Sequence, residues 1–146
     1  MTLVSQTSEY ALRAMVHLAL ADQRRSVREI AEAAGIPTAY LGKVLKQLVR
    51  ARLVSAKRGP GGGVALAEPA DRITVYDIVN AVDPIEHVRR CPLGHVKDEL
   101  RLCPLHERIE GAIQHVEDIF RATTLHELVR DTRPPLCRVE DIILGS

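Results

Sequence analysis

The sequence predicts a mainly α-helical chain with one small β-hairpin, and three observations support this fold class. Of the 146 residues, 46% are hydrophobic but only 3% are aromatic, which favours an aliphatic core between packed helices. Two short amphipathic segments joined by a glycine turn, within residues 26–50, are typical of a helix–turn–helix. A glycine run between two short apolar segments predicts a hairpin directly afterwards. The predicted architecture is therefore a winged helix–turn–helix followed by a long dimerisation helix.

The first three helices are predicted from apolar residues at helical spacing. A first helix covers residues 8–21. Ser26 and Glu29 then form a capping box that opens a short helix, and Gly35 breaks that helix. The next helix begins at Thr38 and turns inward Leu41, Val44, Leu45 and Leu48. The opposite face of this helix is polar and basic, and it carries Thr38, Tyr40, Lys43, Lys46, Gln47 and Arg50.

The glycine-rich segment at residues 57–64 is predicted to be the tip of a two-stranded hairpin, or wing. A proline followed by three glycines, at residues 60–63, cannot continue a helix and adds little to a core. The apolar stretches on either side fit short strands. Such a tip brings bare backbone N–H groups and two cations close to an anion. The residues that would do so are Lys57, Arg58, Gly61, Gly62 and Gly63.

The second half of the chain is predicted to hold three further helices and one long loop. Thr74 and Asp77 form a box that opens a helix to about residue 81. Residues 83–103 lack periodicity and are predicted to form a loop, which at this length is usually functional or disordered. Pro104 opens the longest helix, to about residue 123, and Thr124 caps a last short one. The long helix carries an apolar stripe of Leu105, Ile109, Ala112, Ile113, Val116 and Phe120. This stripe predicts a homodimer seam or, alternatively, packing against the chain's own first helix.

Charge is divided unevenly along the chain, although the net charge is only +1. Residues 1–66 hold ten Lys or Arg and four Asp or Glu, whereas residues 67–146 hold ten and fifteen. This division is expected where only the first half meets a polyanion, and an uneven surface without function is the alternative. No apolar run approaches the roughly 20 residues that span a bilayer. Because the first residues also lack a signal-peptide pattern, we expect a cytoplasmic protein with reduced cysteines and no membrane partner.

Beside a helix–turn–helix, the expected anion is double-stranded DNA. The helix that begins at Thr38 fits a major groove, and Arg58 on the wing suits the negative potential of a narrow minor groove. One chain offers a small footprint, so two chains joined by the long helix would read half-sites about 34 Å apart or a multiple of it. The expected DNA contacts are Thr38, Tyr40, Lys43, Lys46, Gln47, Lys57, Arg58, Gly61, Gly62 and Gly63.

Two of the three cysteines, Cys91 and Cys103, lie in similar local sequences within the predicted loop. Cys103 precedes Pro104 and is the predicted N-cap of the long helix, with His106 one turn further on. This group is compatible with structural thiols, with a soft-metal site or with a reversible Cys91–Cys103 disulfide. A catalytic Cys–His pair would need an activating partner and a pocket that the sequence does not reveal, so we expect no enzyme activity. Cys137 is interpreted as a bystander thiol.

At these residues the chain resembles the Rrf2 family of bacterial regulators, typified by IscR and NsrR. The similarity runs from about residue 3 to residue 129 and includes Arg-Gly-Pro-Gly-Gly-Gly at 58–63 and Ala-Val-Asp at 81–83. The resemblance implies a dimeric winged-helix transcription factor, usually a repressor. Many members carry an iron–sulfur cluster that senses iron–sulfur status, nitric oxide or redox state.

The resemblance also implies ligands for a [2Fe–2S] cluster. Cys91 and Cys103 match the outer two of the three cysteines found in cluster-binding members, and His106 matches a histidine ligand. Some members recruit an acidic residue from the partner's first helix, and Glu9 occupies the matching position. The implied metal ligands are therefore Cys91, Cys103, His106 and Glu9.

Two departures from the family pattern bear on function. Lys97 stands where the middle cysteine is expected, with His95 as a candidate substitute. Nitrogen and carboxylate ligands in place of thiolate raise the reduction potential of a cluster, which would suit redox sensing. Gly42 stands on the recognition helix where IscR-like members carry an acidic residue, so no relative's operator sequence can be transferred.

The resulting hypothesis is a dimeric DNA-binding transcriptional regulator with a [2Fe–2S] cluster at residues 85–106. The alternative is a cluster-free regulator of the same fold, switched by Cys91–Cys103 oxidation, a small molecule or a partner protein. The chain is divided into a DNA-binding domain at 1–83, a cysteine loop at 84–103, a dimerisation helix with a short helix at 104–131, and a tail at 132–146.

Overall fold

Six α-helices and a two-stranded antiparallel sheet make up the part of the chain that this computed structural model describes, residues 3–21, 23–94 and 103–130. In chain order the elements are α1 (Gln6–Leu20), α2 (Val27–Ala34), α3 (Thr38–Arg50), β1 (Val54–Lys57), β2 (Gly63–Leu66), α4 (Val75–Val82), α5 (Pro104–Ala122) and α6 (Leu125–Arg130). A 3₁₀ turn at Ala70–Arg72, which the sequence pattern did not predict, lies between β2 and α4. Lys97, His95, Cys137 and the tail at 132–146 lie outside the described residues.

Side-chain caps set where the helices begin. The two predicted capping boxes are both present, at the starts of α2 and α4. Gly35 ends α2 with a left-handed φ of 66°, which glycine adopts without a steric penalty. α1 begins at Gln6 rather than at the predicted residue 8, because the Ser5 hydroxyl accepts the N–H of Ser8 at 3.2 Å and so caps the helix earlier.

The hydrophobic core surrounds α1, which packs against α2, α3, α4 and α6. Leu125 of α6 is completely buried in this same core. Backbone pairing brings it there: the Leu125 N–H donates to the Ile73 carbonyl at 2.7 Å, and the Val75 N–H donates to the Thr123 carbonyl at 2.9 Å. α6 therefore returns to the amino-terminal body after α5 has left it, whereas the sequence had grouped α6 with α5.

α5 is long but little buried. Among its residues, Glu117 is the one that is buried. Its main packing partner among the described elements is α4 rather than the first helix, which was the alternative expected from the sequence. The predicted apolar stripe stays half-buried or exposed, with Leu105 at 40% exposure, and the neighbouring Ile119 is 49% exposed. No helix in the described ranges combines the length and the apolar character needed to cross a membrane.

Candidate nucleic-acid interface and cysteine loop

α3 presents the basic face that its spacing predicted. Its four inward residues are at most 3% exposed, whereas Thr38, Lys43, Lys46 and Arg50 are exposed. An added Cβ at Gly42 would meet no atom within 4 Å, so nothing inside the chain requires glycine there. Thr38, Lys43, Lys46 and Arg50 on the outer side of α3 are therefore open to a partner.

Two of the candidate DNA contacts on α3 already make bonds within the chain. The Tyr40 hydroxyl lies 2.7 Å from the Thr7 hydroxyl of α1, and its ring meets the Tyr10 ring edge-on at 5.3 Å. The Gln47 side-chain amide donates to the Val82 carbonyl of α4 at 3.4 Å. Tyr40 and Gln47 thus connect α3 to α1 and α4, a role that the sequence analysis missed because it depends on tertiary contacts.

The wing forms where the sequence placed it. β1 and β2 pair in antiparallel register with Val54 opposite Leu66 and Lys57 opposite Gly63. Lys57, Arg58 and Gly61 are exposed at the tip. The Gly62 N–H donates to the Gly59 carbonyl at 2.9 Å, so this N–H closes the turn and is not open to a phosphate as the sequence analysis expected.

A third piece of backbone supports the wing at its root. The Val64 N–H donates to the Arg25 carbonyl at 2.8 Å, and the Arg25 N–H donates back to the Val64 carbonyl at 3.0 Å. The Arg24 guanidinium donates to the carbonyls of Ser55 at 3.0 Å and Gly63 at 3.3 Å. The contact of Arg24 with the wing could not be predicted from the sequence, because Arg24 belongs to no periodic pattern, cap or motif.

The structure brings Cys91 and Cys103 together. Their sulfurs lie 3.3 Å apart, within hydrogen-bond distance, and are not joined by a disulfide. As predicted, Cys103 is the N-cap of α5, and its sulfur accepts the N–H of His106 at 3.3 Å. The His106 ring uses its Nε2 atom elsewhere, 3.0 Å from the Val88 carbonyl.

These residues supply only part of a cluster shell. A [2Fe–2S] cluster takes four protein ligands, and in the described residues no group of three or more His, Cys, Asp or Glu side chains is arranged to hold a metal ion. Glu9 lies on α1 and forms an ion pair with Arg13 of the same helix at 4.0 Å. Two of the four implied ligands, the thiols, are therefore paired, whereas His106 and Glu9 are engaged with other partners.

A cluster of charged side chains next to the cysteines was missed by the sequence analysis. His87 Nδ1 lies 2.9 Å from Glu110, and His87 Nε2 lies 3.2 Å from the buried carboxylate of Glu117. Both ring nitrogens can donate only when the imidazole is protonated. The hydrogen bond to Glu110, reinforced by that to Glu117, raises the pKa of His87.

The loop and α5 are held together on one face of the helix. Glu110 also accepts the Val88 N–H, and its pKa is lowered first by the His87 hydrogen bond and then by this one. Arg121 lies 3.7 Å from Glu117 and stacks on the Tyr76 ring of α4, with its guanidinium carbon 3.7 Å from the ring centre. By helical spacing, one polar stripe of α5 contains Cys103, His106, Glu110, Glu117 and Arg121. Their spacing was readable in the sequence, but their contact with the loop was not.

In sequence and in structure, this chain is similar to transcriptional regulators. A family model described as "Rrf2: Iron-dependent Transcriptional regulator" matches residues 4–131. A protein of Aquifex aeolicus (strain VF5), named as an HTH-type transcriptional regulator, is 34% identical over 129 residues, which cover 86% of this chain and 90% of that protein.

Solved structures with the same fold include two named regulators. CymR (YrzC), the global cysteine regulator of B. subtilis, is 26% identical with a TM-score of 0.73, covering 91% of this chain and 100% of that one. IscR of T. potens is 25% identical with a TM-score of 0.76, covering 94% of this chain and 93% of that one.

Proposed function

The chain belongs to the Rrf2 family of transcriptional regulators, and on that basis we propose that it is a cytoplasmic homodimer that represses transcription by binding double-stranded DNA. Its regulatory site is the segment at residues 85–106, which contains the two cysteines of the cysteine loop and the first residues of α5. The family makes it a regulator rather than an enzyme.

The single observation that carries the DNA-binding proposal is the exposure of basic side chains on the outer face of α3 and on the wing next to it. The inner face of α3 is buried, and its outer face leaves Lys43, Lys46 and Arg50 exposed. Lys57 and Arg58 are exposed on the adjacent wing. A helix of this kind fits the major groove, and an arginine on a wing fits the minor groove beside it.

The proposed dimer uses α5. Its apolar stripe is not buried by the rest of the described chain, and a stripe of this length is usually covered by a partner helix. A second copy of the same chain would cover it symmetrically. The polar stripe of α5 faces a different direction, because Glu110 and Glu117 hold the cysteine loop. A change in the loop would therefore act on the helix that joins the two DNA-binding heads.

The proposed signal is oxidation of the Cys91–Cys103 pair. A separation of 3.3 Å between the sulfurs supports direct formation of a disulfide, since the two atoms need little movement to reach about 2.05 Å. In the reaction, one thiolate attacks a low-molecular-weight disulfide and expels a thiolate. The second cysteine then attacks the mixed disulfide and releases the second thiolate. The protein loses two electrons and two protons.

A [2Fe–2S] cluster is the second candidate, because the family description names iron and the two thiols are already paired. Cys91 and Cys103 would hold it, with His106 and the Glu9 position as the remaining implied ligands. His106 Nε2 lies 3.0 Å from the Val88 carbonyl, so Nδ1 is the ring nitrogen that would bind iron. Bound there, the cluster would supply one-electron redox chemistry. Two of the four ligands that a cluster needs, the thiols, lie together, so oxidation of the Cys91–Cys103 dithiol is the leading proposal.

Anaerobic purification with measurement of iron, sulfide and visible absorption separates the two candidates. A cluster that disappears in Cys91→Ala and in Cys103→Ala would favour the second candidate. A metal-free protein that forms one intramolecular disulfide on mild oxidation, by non-reducing mass analysis, and then changes its DNA affinity would support the first. If neither oxidation nor iron changes DNA affinity, the cysteine loop is not the regulatory site.

A further inference from the structure

We propose that Arg24 is a positioning residue for the wing, which holds the hairpin at the angle at which Arg58 reaches DNA. The inference rests on the proposed contact between the wing and DNA, and it assigns the orientation of that wing to a residue outside the helix–turn–helix and outside the hairpin.

Three hydrogen bonds from one guanidinium carry the inference. Arg24 Nη1 donates to the Ser55 carbonyl at 3.0 Å and to the Gly63 carbonyl at 3.3 Å. Arg24 Nη2 donates to the Ser55 hydroxyl at 2.9 Å. Because Ser55 lies on β1 and Gly63 on β2, the planar guanidinium ties the two strands to each other and to the segment before α2.

The backbone next to Arg24 fixes only one edge of the hairpin. Arg25 pairs with Val64 of β2 through two hydrogen bonds. At Gly63 an added Cβ would lie 2.5 Å from the Arg25 carbonyl oxygen, so β2 approaches this segment as closely as a bare backbone allows. Val54 and Val64 hold the root of the hairpin in the core, and the backbone bridge adds a link at the β2 edge. The Arg24 side chain adds the corresponding link to β1, which the backbone bridge does not reach.

The neighbouring arginines have different partners. Arg25 forms an ion pair with Glu29 at 4.0 Å, and Arg28 forms one with Glu32 at 3.0 Å, each within one helical turn. Arg28 is 80% exposed, whereas Arg24 is half-buried. Arg28→Ala therefore provides a matched control that removes the same charge one helical turn further along the chain, in α2, without touching the wing.

A double-mutant cycle tests the inference. Arg24→Ala, Arg58→Ala and the double variant are titrated against a labelled duplex obtained by in vitro selection with the wild-type protein, followed by fluorescence anisotropy. Each single variant should bind about tenfold more weakly, the effect of one lost charged contact. The double variant should bind about as weakly as Arg58→Ala, because Arg24 acts through the wing. Arg28→Ala should bind like the wild type.

Two further variants distinguish positioning from general stability. Arg24→Lys keeps the charge and one donor but lacks the planar fork, so it should recover part of the affinity. Ser55→Ala removes one acceptor and should give a smaller loss, which also disappears in the Arg58→Ala background. Ser55→Ala keeps the test decisive if Arg24→Ala does not fold.

The outcomes separate the inference from the proposed function. If Arg58→Ala binds the duplex as well as the wild type, the proposed wing contact is wrong. If Arg58→Ala weakens binding but Arg24→Ala does not, Arg24 does not position the wing. If the two losses multiply to about a hundredfold, Arg24 contacts DNA independently and the inference is overturned.

Discussion

Replacing Gly63 with alanine is expected to destabilise the protein far more than the same change at Gly61. Gly63 has a φ of 117°, and an added Cβ would lie 2.5 Å from the carbonyl oxygen of Arg25. Gly61 also has a positive φ, 70°, but a Cβ there would meet no atom within 4 Å. The two glycines share an unfavourable backbone for alanine and differ in the contact with Arg25.

The expected loss follows from two contributions. Backbone strain at Gly63 costs about 1–3 kcal/mol. Relief of the contact moves β2 away from Arg25, and the two hydrogen bonds between Arg25 and Val64, at 3.0 and 2.8 Å, are lost at about 1 kcal/mol each. We therefore expect Gly63→Ala to lower the free energy of unfolding by about 3–5 kcal/mol. Gly61→Ala should lower it by about 1 kcal/mol.

Urea denaturation followed by circular dichroism measures both values. The chain concentration is held constant, because the stability of a dimer depends on it. Equal losses at the two positions would refute the steric argument and would mean that the segment before α2 does not support the wing. A loss confined to Gly63→Ala, accompanied by weaker DNA binding, is the expected result.

Three further predictions concern the core, the loop and the long helix. Leu125→Ala should lower the free energy of unfolding, measured by urea denaturation, by about 2–5 kcal/mol. Leu93→Ala, at a 60% exposed position, should lower it by less than about 0.5 kcal/mol. Similar losses in the two variants would contradict the place of α6 in the core. His87 is stabilised in its protonated form, so its contribution to stability is complete below its ordinary pKa of 6.5 and is lost as pH rises through the raised pKa. Denaturation midpoints should therefore fall with rising pH in the wild type and less in His87→Gln, and parallel curves would contradict this. Ile119→Glu should yield monomers in sedimentation velocity while Gln114→Glu stays dimeric; dimers in both would exclude this face of α5.

The elements that could be predicted from the sequence are those that begin and end because of residues close by in the chain. A capping box such as Ser26 with Glu29 specifies a helix start by its own hydrogen bonds, and Gly35 ends that helix because its φ is positive. The pairing of Cys91 with Cys103 was also among the possibilities that the sequence offered, because both lie in the loop that leads into α5.

The parts that could not be predicted depend on which elements meet. Arg24 reaches the wing from 31 residues before Ser55, and no sequence pattern links the two. His87 gains its role from carboxylates 23 and 30 residues later, which lie one above the other only once α5 has formed. The early start of α1 was missed for a simpler reason, since the Ser5 cap was overlooked.

Because the chain returns to the core at Thr123, α5 is held at its carboxyl end and can rotate about that end. Its carboxyl end is anchored by backbone pairing at Thr123 and Leu125, whereas its amino end carries one of the two sulfurs. The 19 residues of α5 span about 28 Å. Closing the gap between the sulfurs from 3.3 Å to about 2.05 Å would then need a rotation of only about 3° around the anchored end. Formation of the Cys91–Cys103 disulfide would thus change the orientation of the whole of α5.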